Sequence, residues 1–155
     1  MFRIAAAAAG GGIRGFSTTA ATRTAATANN KKVLLLGLGG GANPPPVFKG
    51  GLTKEKLMSM LHEQNKELER RGVDPTMLLL DSEAPHDDIA KTVTDALSQT
   101  TYDVVSIGAG VRTTPEQFLL FERLVNLVHE HAPDARFAFD TGPGDKVESI
   151  FRQIE

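Results

Sequence analysis

The sequence predicts an α/β protein: a four-stranded parallel sheet with helices on both faces. Three observations predict it. Four apolar runs of strand length lie at 32–37, 76–81, 103–108 and 135–140. Amphipathic helical patterns follow them in turn, at 53–71, 86–99, 115–131 and about 146–154. Each run closes on a glycine or an aspartate, a turn signal where a strand hands over to a helix. Strict alternation calls for a parallel sheet, because parallel neighbours are joined by crossover helices.

Each element has its own warrant. Val33, Leu34, Leu35 and Leu36 are apolar in succession, as in a strand buried on both faces. The first helix places Leu57, Leu61 and Leu68 on one side with Met58 beside them, and Gly72 stops it. Met77, Leu78, Leu79 and Leu80 form a second run too short for a buried helix. Ile89, Val93, Ala96 and Leu97 then recur at helical spacing. The third run is Val104, Val105, Ser106 and Ile107. In the helix after it, Thr114 is the expected N-cap, Pro115 suits the first helical position, and Gln117 has capping-box spacing. Phe137 and Phe139 alternate with polar or small neighbours in the fourth run. Val147, Ile150, Phe151 and Ile154 line one side of the last helix. Right-handed crossovers leave few arrangements, and the preferred strand order is 2-1-3-4. That is a three-layer sandwich, a truncated flavodoxin-like or half-Rossmann (Rossmann-like) sheet.

The first 30 residues stand apart. They hold ten alanines, five threonines and three arginines (Arg3, Arg14, Arg23), and no acidic residue. The remaining 125 residues carry all 19 carboxylates against 14 basic groups, a net charge of −5. An acid-free, arginine-bearing, Ser/Thr-containing leader has the composition of an organelle transit peptide. Arg14-Gly15-Phe16-Ser17 resembles a mitochondrial cleavage site, so the expected address is the mitochondrial matrix, with the chloroplast as the alternative. Residues 31–155 are then one domain. Its negative charge speaks against a nucleic-acid partner. With no cysteine in the chain, disulfides, thiolate metal sites and cysteine nucleophiles are excluded. No run of 18 apolar residues is present, so no membrane-spanning helix is expected.

The glycines gather where such sheets bind ligands, beyond the carboxyl ends of the strands. Gly37, Gly39 and Gly40 follow the first strand; Gly108 and Gly110 follow the third, leading to Arg112, Thr113 and Thr114; Gly142 follows the fourth. These residues are the expected ligand site. Their amides would cradle a phosphorylated or carboxylate small molecule, and Arg112 would clamp its anionic group. Gly37-x-Gly39-x-x-Ala42 matches a dinucleotide fingerprint, which supports an alternative, nucleotide-binding oxidoreductase-like reading. That motif should open a helix at once, whereas Asn43-Pro44-Pro45-Pro46 follows here. Asp81 and Asp140 end strands on the same edge and are the candidate catalytic groups. Their plainer role is to cap helices or turns. His129 and His131 stand at i, i+2 on a helix and share no face, so no metal site is expected. Asp87 and Asp88 suit the start of their helix electrostatically. No Gly-x-Ser-x-Gly elbow is present, and the cofactor, if any, is unknown from the sequence.

Length and alternation suggest a response-regulator receiver, but Gly37 and Gly108 stand where its acidic residues belong. The segment from Tyr102 to Asp140, with its Gly108-Ala109-Gly110-Val111-Arg112 loop, resembles a group of small uncharacterised α/β proteins. The resemblance implies the fold and carries no activity. The helix at 115–131 is unusually apolar: Phe118, Phe121, Val125 and Val128 form one stripe, and Leu120, Leu124, Leu127 and His131 another. One stripe suffices to pack on a sheet, so the excess predicts a partner surface, in the simplest case a homodimer. A non-catalytic interaction or assembly protein is the competing function.

Overall fold

A computed structural model describes residues 30–39 and 52–154. The leader, Gly40 and Ala42 lie outside the described residues. The elements run β1 (Lys31–Leu38), α1 (Lys54–Arg70), β2 (Val73–Leu80), α2 (His86–Gln99), β3 (Val104–Ile107), α3 (Ala109–Arg112), a 3-10 turn (Pro115–Gln117), α4 (Phe118–His131), β4 (Arg136–Phe139) and α5 (Lys146–Ile154). The four strands form one parallel sheet in the order β2-β1-β3-β4. The predicted α/β architecture is therefore the observed one.

Side-chain alternation along the strands divides the core into two layers. Leu34, Leu36, Val105 and Ile107 pack under α2 and α4 with Val93, Leu120, Leu124 and Val128. Val33, Leu35, Val104 and Ala138 pack on the other face with Leu68 of α1 and Ile150 and Phe151 of α5. Thr53 caps α1 by accepting the Lys56 N–H at 3.2 Å. Gly72 ends that connection at φ +84°, in the left-handed region that favours glycine. β2 begins three residues before the predicted run and includes Pro75. It lies at the sheet's edge, where a strand tolerates a missing N–H.

Two expectations change. Residues 115–131 are not one helix: Pro115–Gln117 is a 3-10 turn, and the α-helix starts at Phe118. Thr114 makes no side-chain cap there; its hydroxyl donates to Gly110 O at 2.8 Å and joins the turn to α3 instead. The two apolar stripes of α4 are also not equivalent. Leu120, Leu124 and Val128 are buried in the core, while Phe121, Val125 and Leu127 are half-buried. The large apolar side chains that α4 leaves in solvent are Phe118 and Leu119, 55 % and 66 % exposed. Leu120 is thus a core residue and cannot be part of an outer surface.

Candidate functional site

Strand register sets the site. Leu36, Ile107 and Phe139 lie side by side across β1, β3 and β4. One residue further along each strand, Gly37, Gly108 and Asp140 therefore meet at the carboxyl edge, with Leu79 of β2 paired beside Gly37. On the α1 and α5 side of this row lies an open cleft of about 50 Å³. Gly37 and Gly108 line it where side chains would intrude, and Leu57, Leu61, Met77 and Leu79 form its apolar wall. Among the described residues its charged side chains are Asp140 and Lys146.

Asp140 and Lys146 form a buried ion pair, their side chains 2 % and 7 % exposed. Lys146 Nζ donates to Asp140 Oδ2 at 2.5 Å. The other oxygen, Oδ1, accepts the Ala109 N–H at 2.9 Å. Asp140 thus closes the start of α3 from 31 residues away while neutralising a lysine. Lys146 opens α5, where the helix dipole disfavours a cation. Gly108 has φ −63° and ψ 154°, a conformation open to any residue. Space explains this glycine: a Cβ there would lie 3.3 Å from Leu36 O and 3.6 Å from Lys146 Nζ.

Arg112 stands near this edge with its guanidinium on main-chain carbonyls. Its Nε donates to Ile107 O at 3.3 Å, and its Nη2 donates to Asp140 O. Its guanidinium carbon lies 5.3 Å from the centre of the Phe139 ring. Arg112 therefore ties the ends of β3 and β4 together. Thr113 donates its hydroxyl to Ala109 O, and Thr114 to Gly110 O, both at 2.8 Å. Gly110 lines the cleft beside Leu38. Gly39, at φ +154°, has its N–H bonded to Leu80 O, so it extends the β1–β2 ladder rather than opening a helix. Gly142 belongs to a turn in which the Asp145 N–H donates to its carbonyl at 3.1 Å. Gly40 lies outside the described residues.

The two candidate acids part company. Asp81 Oδ1 accepts the Glu83 N–H at 2.9 Å and shapes the turn before α2. It does not line the cleft; Asp140 does. Asp145, beside the site, accepts the Thr141 main-chain N–H, which holds its carboxyl below the usual carboxylate range; Arg152 adds to the effect. Among the described residues no cluster of three or more His, Asp or Glu side chains is placed to hold a metal ion. No described helix is long and apolar enough to cross a membrane.

Lys146 was missed by sequence reasoning. Its signal was available: a lysine in the first turn of a helix opposes the dipole and asks for a carboxylate partner. No protein-family model matches this chain, and no curated protein matches it.

Proposed function

We propose that this chain is a small α/β ligand-binding protein of the mitochondrial matrix, and that its site is the cleft at the carboxyl ends of β1, β3 and β4. The ligand is a small molecule carrying an anionic group. One observation carries the reading: a buried ion pair at 2.5 Å borders an otherwise apolar cleft. Removing two charges from water costs several kcal/mol per ion on the order-of-magnitude scale for protein interiors. Charged pairs of this kind in a cleft mark functional sites more often than chance would place them. The switch-point location supports the same reading. The acid-free, arginine-bearing leader supports the address.

Thermal shifts of the full chain against a panel of small carboxylates and phosphates test it. A ligand at 100 times its Kd stabilises the fold by about 2.7 kcal/mol. Gly37→Val, which puts side-chain atoms into the cleft beside Leu79, should abolish that shift. A panel in which no compound stabilises the wild type sinks the proposal.

A second reading rests on Phe118, Leu119 and Phe139, which are 55 %, 66 % and 38 % exposed. Such groups on one molecule favour self-association. Phe118→Glu with Leu119→Glu should convert a sedimenting dimer to monomer. A wild type that sediments as a monomer at every concentration removes this reading.

A further inference from the structure

We infer that the ligand of this cleft has a single carboxylate head on a hydrocarbon body. The inference rests on the ligand-binding reading above and narrows it. A phosphate cradle needs several free amides converging on one point. Among the described residues, four amides of the glycine loops are already engaged. Gly108 N–H bonds Leu36 O, Val111 N–H bonds Gly108 O, and Gly39 N–H bonds Leu80 O. Ala109 N–H bonds the Asp140 carboxylate. Arg112, the guanidinium nearest the edge, is held on two carbonyls of the fold. α3 is a single turn of four residues and offers no helix terminus of consequence.

What remains is Lys146. Among the described residues its ammonium donates to Asp140 alone, and an ammonium has three N–H groups. Two donors are therefore left for a bound acceptor, beside a glycine whose missing side chain keeps the space open. Asp140 has both oxygens occupied and holds Lys146 in place as a positioning residue. Beyond this point the described wall of the cleft includes Leu57, Leu61, Met77 and Leu79, which suits hydrocarbon.

The test uses the full chain labelled with 13C in its methionine methyl groups. Met77 lines the cleft, so its resonance reports occupancy, and Met58 and Met60 serve as controls. Probes are butanoate, hexanoate, octanoate, inorganic phosphate and AMP. Octanoate should shift the Met77 signal selectively, and affinity should rise about fourfold per added methylene. Phosphate and AMP should leave it unmoved. Lys146→Met with Asp140→Asn, which leaves no unpaired charge, should weaken octanoate at least tenfold. Gly108→Ala, whose methyl would lie 3.6 Å from Nζ and 3.3 Å from Leu36 O, should do so as well, with a urea melt reporting its fold. Three results overturn the inference. If phosphate or AMP binds as well as octanoate, the cleft is a ligand site of another class and only the head-group assignment falls. If the Lys146 and Gly108 variants bind octanoate as tightly as wild type, the apolar cleft stands without its polar anchor. If nothing moves Met77, the ligand-binding reading falls as well.

Discussion

Lys146→Met alone should be among the most damaging substitutions in the chain, and its cost has a calculable ceiling. The change removes the cation facing a carboxylate that is 2 % exposed, and leaves Asp140 only the Ala109 N–H. Breaking a buried pair in this way typically costs about 3–5 kcal/mol. A stranded carboxylate has one escape, which is to take up a proton. An ordinary carboxyl ionises about 3 units below pH 7, so neutralising it there costs about 4 kcal/mol. That figure is the ceiling, and the expected loss is about 3–4 kcal/mol at pH 7. The sign of the pH dependence follows. An acid that ionises less readily folded than unfolded loses stability as pH rises, so acidification helps this variant. Moving from pH 7 to 5.5 should therefore lessen the loss relative to wild type. Asp140→Asn combined with Lys146→Met removes both charges and keeps an amide oxygen for Ala109, so the pair should recover most of the loss. Urea melts of wild type, Lys146→Met and the double variant at both pH values measure these differences. A single variant that costs under about 1 kcal/mol at both pH values would refute the reasoning, because a buried, paired lysine cannot be so dispensable.

Three further outcomes are expected. Leu124→Ala removes a fully buried α4 side chain from the larger core layer and should cost about 3 kcal/mol, seen as a fall in Tm of roughly 10 °C; an unchanged Tm contradicts the packing. Asp103 is held below its ordinary value, first by its hydrogen bond from Lys31 and then by the Lys32 main-chain N–H. Its contribution is therefore present above about pH 4 and lost as pH falls through the lowered value. At 38 % exposure it amounts to less than about 1 kcal/mol, so Asp103→Asn should cost up to that much at neutral pH and progressively less as pH falls below about 4. Ser106 is fully buried in register between Leu35 and Ala138, with no hydrogen-bond partner for its hydroxyl. Ser106→Ala should accordingly raise stability by up to about 1 kcal/mol in the same melts, and a loss greater than that shows a partner for the hydroxyl.

The sheet was legible because its signals are local and repeated. Apolar runs, helical periodicity and terminal glycines or aspartates set element type and order, and handedness rules did the rest. α3 was not legible. Ala109-Gly110-Val111-Arg112 has no capping side chain of its own, and its first N–H is satisfied by an aspartate 31 residues further on. The role of Arg112 escaped for a related reason. A guanidinium in a glycine loop suggests an anion, but the loop's carbonyl acceptors appear only once β3 and β4 lie side by side. Asp140 was legible as a strand-ending acid on the ligand edge, and Asp81 was equally so. Tertiary structure separated them by giving one a lysine and the other a turn amide.

Asp140 joins three elements at once. Its side chain holds the first amide of α3 and the lysine that starts α5, and its carbonyl receives Arg112 on the way back from α3. The same arrangement decides what the glycine loops can recognise. An amide bonded within the fold is not available to a ligand, and the bonded ones here include those beside the cleft at Gly108 and Ala109. Gly37 and Gly108 then act through the side chains they lack, leaving the carboxyl edge open where Leu79 and Lys146 approach. Shape at this edge therefore comes from glycine and charge from Lys146, six residues past the acid that positions it. A pattern that in sequence resembles a phosphate loop has, among the described residues, four of its amides bonded within the fold, beside a cleft whose described wall is apolar but for one buried ion pair.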